Sequence, residues 1–169
     1  ELAIETALGA AMQHIVTPNQ QTGQKLIEFL KQNKYGRATF LPLSEIKSKV
    51  LTPQEKDTLN IKGCFGVASD LITFDQKYRG IFENLLGRTV ICDNLDTAIA
   101  IAGKNRQAFR IVTLEGDVIN AGGSMTGGSS QSKLTSILGR EREIEETAKK
   151  VEELSSIVEN SKAAITKAR

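Results

Sequence analysis

Apolar residues change their spacing several times along the chain, and each change predicts an element. In residues 17–33, Leu26, Ile27, Phe29 and Leu30 supply one helical face behind Thr17-Pro18-Asn19-Gln20, which reads as a capping box with Pro at the first helical position. This helix is expected to run to about Asn33. Past Gly36, residues 37–41 read as a strand stopped by Pro42. Thr52-Pro53-Gln54-Glu55 is a second capping box, opening a short helix to about Leu59. Residues 63–72, GCFGVASDLI, are apolar and punctuated by glycine, and their spacing leaves strand and buried turn both open. From Asp75 to Leu86, Tyr78, Ile81, Phe82, Leu85 and Leu86 share a helical face, with Gly87 placed as a left-handed C-terminal residue. Residues 88–92 then read as a β-branched strand. Residues 93–102 begin with capping residue types, Asp93 and Asp96 being read as caps, and are apolar nearly all round, which predicts a short buried helix ended by Gly103. Residues 109–113 and 117–120 flank Leu114-Glu115-Gly116 as a hairpin.

Beyond residue 133 the pattern changes character. All three Pro and every Gly but Gly139 lie before that point, and Glu, Lys, Ala and Ser dominate after it. Ile137, Ile144, Val151, Val158 and Ile165 recur every seven residues, with Thr147, Leu154, Ser161 and Ala168 three places after four of them. This is a heptad seam of strong a positions and weak d positions. A helix over about 134–169 would be roughly 50 Å long at 1.5 Å per residue, too long to bury its stripe on a small domain. The chain therefore divides into a globular α+β region, residues 1–132, and the start of a coiled-coil arm, residues 133–169.

Composition adds bounds. The chain has 169 residues, enough for one core-forming domain plus an extended element. Apolar runs are too short for a membrane span and the first residues lack a basic leader, so a cytoplasmic protein is expected. Cys64 and Cys92 lack metal-ligand or redox spacing and read as packing thiols. The net charge of +2 gives no wholesale case for nucleic-acid binding, and it splits evenly between the two regions.

Candidate chemistry concentrates in AGGSMTGGSS, residues 121–130. Its spacing matches a phosphate-binding loop except that Gly128 stands where Lys is required, and Lys133 comes five places too late. A degenerate nucleotide-hydrolysing loop is one reading. The other is that Gly122, Gly123, Gly127 and Gly128 permit positive φ or the close approach of another backbone. His14, the single histidine, ends the first helix and has no nucleophile in an elbow pattern to serve. Lys31, Lys34 and Arg37 gather at a helix end, and Lys62, Lys133, Arg140 and Arg142 are candidate phosphate contacts, the last two where the arm leaves the domain.

Four stretches carry a family resemblance: AIETALGAAMQHIV (3–16), GRATFLPL (36–43), VICDNLDTAIAIA (90–102) and FRIVTLEGDVINAGGSMTGG (109–128). Together they resemble the hinge domain of SMC (structural maintenance of chromosomes) proteins, closest to bacterial ones. Ala121 departs from the pattern, which usually has Pro before the glycines. The resemblance implies a hinge fold of mixed sheets and short helices, followed by a long coiled-coil helix. It also implies a homodimer joined through sheet edges, with Gly122, Gly123, Gly127 and Gly128 at the contact. A DNA-contacting surface is implied too, as is a partner helix for the arm from the segment preceding residue 1. The ATP-binding motifs of the family's heads have no counterpart here, so neither an enzymatic activity nor a cofactor is expected of these residues. The implied setting is a nucleoid-associated ring that organises chromosomes. The competing expectations are the degenerate nucleotide-binding enzyme and an autonomous DNA-binding module.

Overall fold

The computed structural model describes residues 1–128 and 139–167. Contacts gather residues 2–130 into one compact unit, and Glu1 with residues 131–169 into another. The first unit opens with α1 (Leu2–Leu8), continued by a 3-10 turn over Gly9–Gln13. β1 (Ile15–Thr17) leads into α2 (Gln20–Asn33), which returns the chain to β2 (Phe40–Pro42), parallel to β1. The cap of α2 differs from the expected one. Thr17 is a buried β1 residue, and Asn19 takes the role, its extended backbone letting its side-chain oxygen accept from the Thr22 amide at 2.9 Å. The strand expected over residues 37–41 is shorter and includes Pro42. With only two strands in this sheet, one side of β2 is an outer edge, where Pro's missing donor costs no ladder bond.

α3 (Pro53–Asp57) has the expected capping box, with Thr52 and Glu55 satisfying each other's backbone amides, and it ends two residues short of Leu59. Residues 63–72 resolve as β3 (Cys64–Val67) and a 3-10 turn over Ala68–Asp70. The helix expected from Asp75 begins as a 3-10 turn, Gln76–Tyr78, and becomes α4 only over Arg79–Leu86. Gly87 is not left-handed: its φ is −70°, and it is glycine for space, since a Cβ there would collide with the Lys49 and Glu83 carbonyl oxygens. After β4 (Thr89–Cys92), α5 (Leu95–Asn105) runs through Gly103 and stops at left-handed Arg106. Its cap is Asn94, accepting from the Thr97 amide at 3.0 Å, rather than Asp93 or Asp96. β5 (Arg110–Thr113) and β6 (Val118–Ile119) form the expected hairpin, and β7 (Met125–Thr126) extends it within the glycine-rich run.

Strands β3-β4-β5-β6-β7 form one mixed sheet in that order, parallel only between β4 and β5, which α5 connects. Alternation along the strands sends side chains to two cores. Val90, Cys92, Ile111 and Ile119 meet Ala98, Ile101 and Phe109 on the α5 side. Ile91, Val112 and Val118 meet Ala3 and Ala7 of α1 and Leu86 of α4 on the other. Because β4 is covered on both faces, all four of its residues are buried, which is why its sequence is apolar without alternation. Arg110 fastens α1 to the sheet by donating to the carbonyls of Ala7, at 2.9 Å, and Thr6, at 3.2 Å.

In the second unit, α6 (Gly139–Lys167) is a single helix. Its Ile144, Val151, Leu154, Ile157 and Val158 are at least half exposed. Ile137 and Ala168 of the expected seam lie outside the described residues. No described helix is long and apolar enough to cross a membrane.

Candidate interface at the open sheet edge

The glycine-rich run folds as a turn and an edge strand. Gly122 donates to the Gln107 carbonyl at 2.9 Å and Gly123 to the Asn120 carbonyl at 2.9 Å, while the Asn120 amide donates to Ser124 at 2.8 Å. The reversal requires φ of 85° at Gly122 and 93° at Gly123, which L side chains rarely adopt. Beyond that, the glycines differ. A Cβ on Gly123 would lie 2.5 Å from the Gln107 amide oxygen, and one on Gly127 would strike the Asp117 carboxylate. Gly122 and Gly128 face open space. Two of the glycines thus let the turn lie against its own chain, and two keep the surface above it bare.

This arrangement is unlike a phosphate cradle. A phosphate loop joins a strand to a helix and leaves its amides free. Here the Gly122 and Gly123 amides are committed to protein carbonyls, and the run continues into β7.

β7 pairs with β6 on one side, Val118 opposite Thr126 and Ile119 opposite Met125. In an antiparallel ladder bonded through Asn120 and Ser124, the Met125 amide and carbonyl point to the other side, an edge with no further strand among the described residues. Met125 is 54% exposed, and no charged residue occurs between Asp117 and Lys133. Proteins usually guard such an edge with charge, Pro or a bulge. The opposite edge, β3, carries that protection: its register shifts between Cys64 and Gly66, leaving Phe65 as the extra residue, and Gly66 has φ 117°. A second unguarded apolar segment is β1, where Ile15 and Val16 are 45% and 40% exposed.

The basic candidates fall in different units. Lys62 is exposed in the turn before β3, while Arg140 and Arg142 belong to the first turn of α6 in the separate unit. Lys133 lies outside the described residues. Lys31, Lys34 and Arg37 are all exposed at the end of α2, where left-handed Lys34 closes the helix. Sequence reasoning missed β7 and the support that Gln107 gives the turn. Gln107 sits at φ 58°, which no local signal in the sequence announces.

Comparison with known proteins agrees with this architecture. A family model described as the SMC proteins flexible hinge domain matches residues 1–102. The chain is 50% identical to the chromosome partition protein Smc of Bacillus subtilis over 155 residues, covering 91% of this chain and 13% of that protein. It is 45% identical to the Smc of Clostridium kluyveri over 152 residues, with 90% and 13% covered. Among solved structures, the asymmetric dimer of the Geobacillus stearothermophilus SMC hinge domain superposes with a TM-score of 0.79 at 42% identity, covering 92% of this chain and 62% of that one. The Pyrococcus furiosus SMC hinge domain gives 0.61 at 33% identity, covering 80% and 71%.

Proposed function

The chain belongs to the family of SMC flexible hinge domains, and from that premise we propose that it is a homodimerisation hinge. Its two copies join coiled-coil arms and close a DNA-entrapping ring in chromosome condensation and segregation. The observation that carries this reading is the β7 edge: an uncharged, glycine-flanked strand whose Met125 backbone groups point away from β6 and meet no other strand among the described residues. Such an edge gains main-chain hydrogen bonds when another strand is added to it. Each copy also offers exposed β1, so β7 of one copy meets the small sheet of the other. A two-fold axis repeats that contact and gives two interfaces enclosing a small ring. Gly122 and Gly128 are the glycines that leave room for the partner, with Gly123 and Gly127 shaping the turn beside it.

The chain spans about 13% of the length of the curated relatives it matches. In this proposal the ATP-binding heads belong to the rest of such a protein, and the hinge itself needs no cofactor. The exposed stripe of α6 pairs with a helix from the segment preceding residue 1, and the whole acts in the cytoplasm on the nucleoid. DNA binding by the hinge is modest and rests on Lys62, Lys133, Arg140 and Arg142, because the net charge of +2 leaves only a local basic surface. The test is titration of DNA at rising salt: each phosphate contact adds about −0.9 to the log–log slope, so replacing Arg140 and Arg142 together lowers the slope by about 2. An unchanged slope would remove those two residues from the DNA surface and leave the dimer reading intact.

A further inference from the structure

Cys64 of β3 and Cys92 of β4 are directly opposed across an antiparallel pair, although 28 positions separate them in sequence. The Asp93 amide donates to the Gly63 carbonyl at 2.9 Å, so the flanking residues make the ladder bond and the cysteines occupy a non-hydrogen-bonded site. At such sites the Cα atoms stand about 4.5 Å apart and both side chains point to one face. Cys64 packs against the core cluster that contains Cys92, which places the two thiols on the same side of the sheet. Disulfides span Cα separations of about 4.4–6.8 Å, so this pair meets the backbone requirement. Both cysteines are reduced in this structure.

We propose that Cys64 and Cys92 are a modification site, forming an intramolecular disulfide on exposure to a hydroperoxide. Cys64 is the entry point, being partly exposed at an edge strand, whereas Cys92 is fully buried. The Cys64 sulfur attacks the hydroperoxide, forming an S–O bond as the O–O bond breaks and one alcohol or water departs. The resulting sulfenic acid is then attacked by the Cys92 sulfur: the S–S bond forms, the S–O bond breaks, and the Cys92 proton leaves with the hydroxide as water. The bulge at Phe65 and the glycines at 63 and 66, both at positive φ, let β3 adjust toward β4 without moving the central strands. Burial raises both thiols, Cys92 to about 12, so the reaction is slow and the site answers sustained oxidation. The bond closes a loop over residues 64–92 that includes α4, constraining the unfolded chain.

The experiment treats the intact chain with hydrogen peroxide, blocks remaining thiols, and combines mass spectrometry with thermal melting. The expected product is a monomeric chain two hydrogens lighter, with a Cys64–Cys92 cross-linked peptide and a melting temperature raised by roughly 5 °C. Dithiothreitol reverses the rise, and Cys64→Ser and Cys92→Ala each abolish it. Cys64 oxidised to sulfinic acid without the cross-link, or a cross-link only between chains, would overturn the proposal.

Discussion

Arg88 shows how much one side chain holds in place. Its guanidinium meets the Glu55 carboxylate at 2.6 and 3.0 Å and also donates to the carbonyls of Val50 and Ala108. Hydrogen bonds from Arg88, then from the Thr52 amide, hold the Glu55 carboxyl down to about 2. A carboxyl depressed in the folded state adds stability that is complete above its unfolded value, near 4.5, and disappears as pH falls through about 2. Arg88 is 37% exposed, so solvent screens the pair and the expected contribution is about 1 kcal/mol. Urea midpoints should therefore fall between pH 4.5 and 2 in the wild type, with a flatter profile in Glu55→Gln. Two glycines give predictions of opposite sign. Gly87→Ala forces a methyl against two backbone carbonyls and should cost about 2 kcal/mol, whereas Gly103→Ala, in open space within α5, should stabilise by about 0.5 kcal/mol. Thermal melts of the two variants read both.

At the scale of elements, β5 and β6 were legible because apolar residues flank a compact turn, and the Thr52 box because Pro and Glu fall in register with it. The cap of α2 was misread because Thr17-Pro18 and Asn19 both look like starts, and only burial of Thr17 in β1 decides between them. Gly87 and Gly103 were misread because sequence identifies glycine but not whether a turn or a neighbouring backbone requires it. β7 was invisible: two residues among Gly and Ser have no alternation, and its strand character comes from β6. The Cys64–Cys92 pairing was equally hidden, since strand register creates it. The heptad spacing did foretell a helix, and α6 leaves Ile144, Val151 and Val158 exposed along it. A peptide of residues 139–167 should gain helical ellipticity as its concentration rises, and Val151→Glu should abolish that gain. A helix already complete at the lowest concentration would mean the stripe needs no partner.

For the whole molecule, the account depends on the difference between the two edges of the large sheet. β3 is bulged at Phe65, while β7 is uncharged and, among the described residues, paired only with β6. Replacing Gly123 or Gly127 would disturb contacts with Gln107 or Asp117 inside one copy, so those variants confuse folding with assembly. Met125→Pro avoids this, because it removes an amide that points away from β6. Sedimentation equilibrium over a concentration series, on the wild type and on Met125→Pro checked for unchanged circular dichroism, is the most direct test. The wild type should sediment at twice the 18.4 kDa chain mass, and the folded variant should shift to the mass of one chain over the same concentrations. A wild type that stays monomeric throughout, or a variant that dimerises as well as the wild type, would contradict dimerisation through β7.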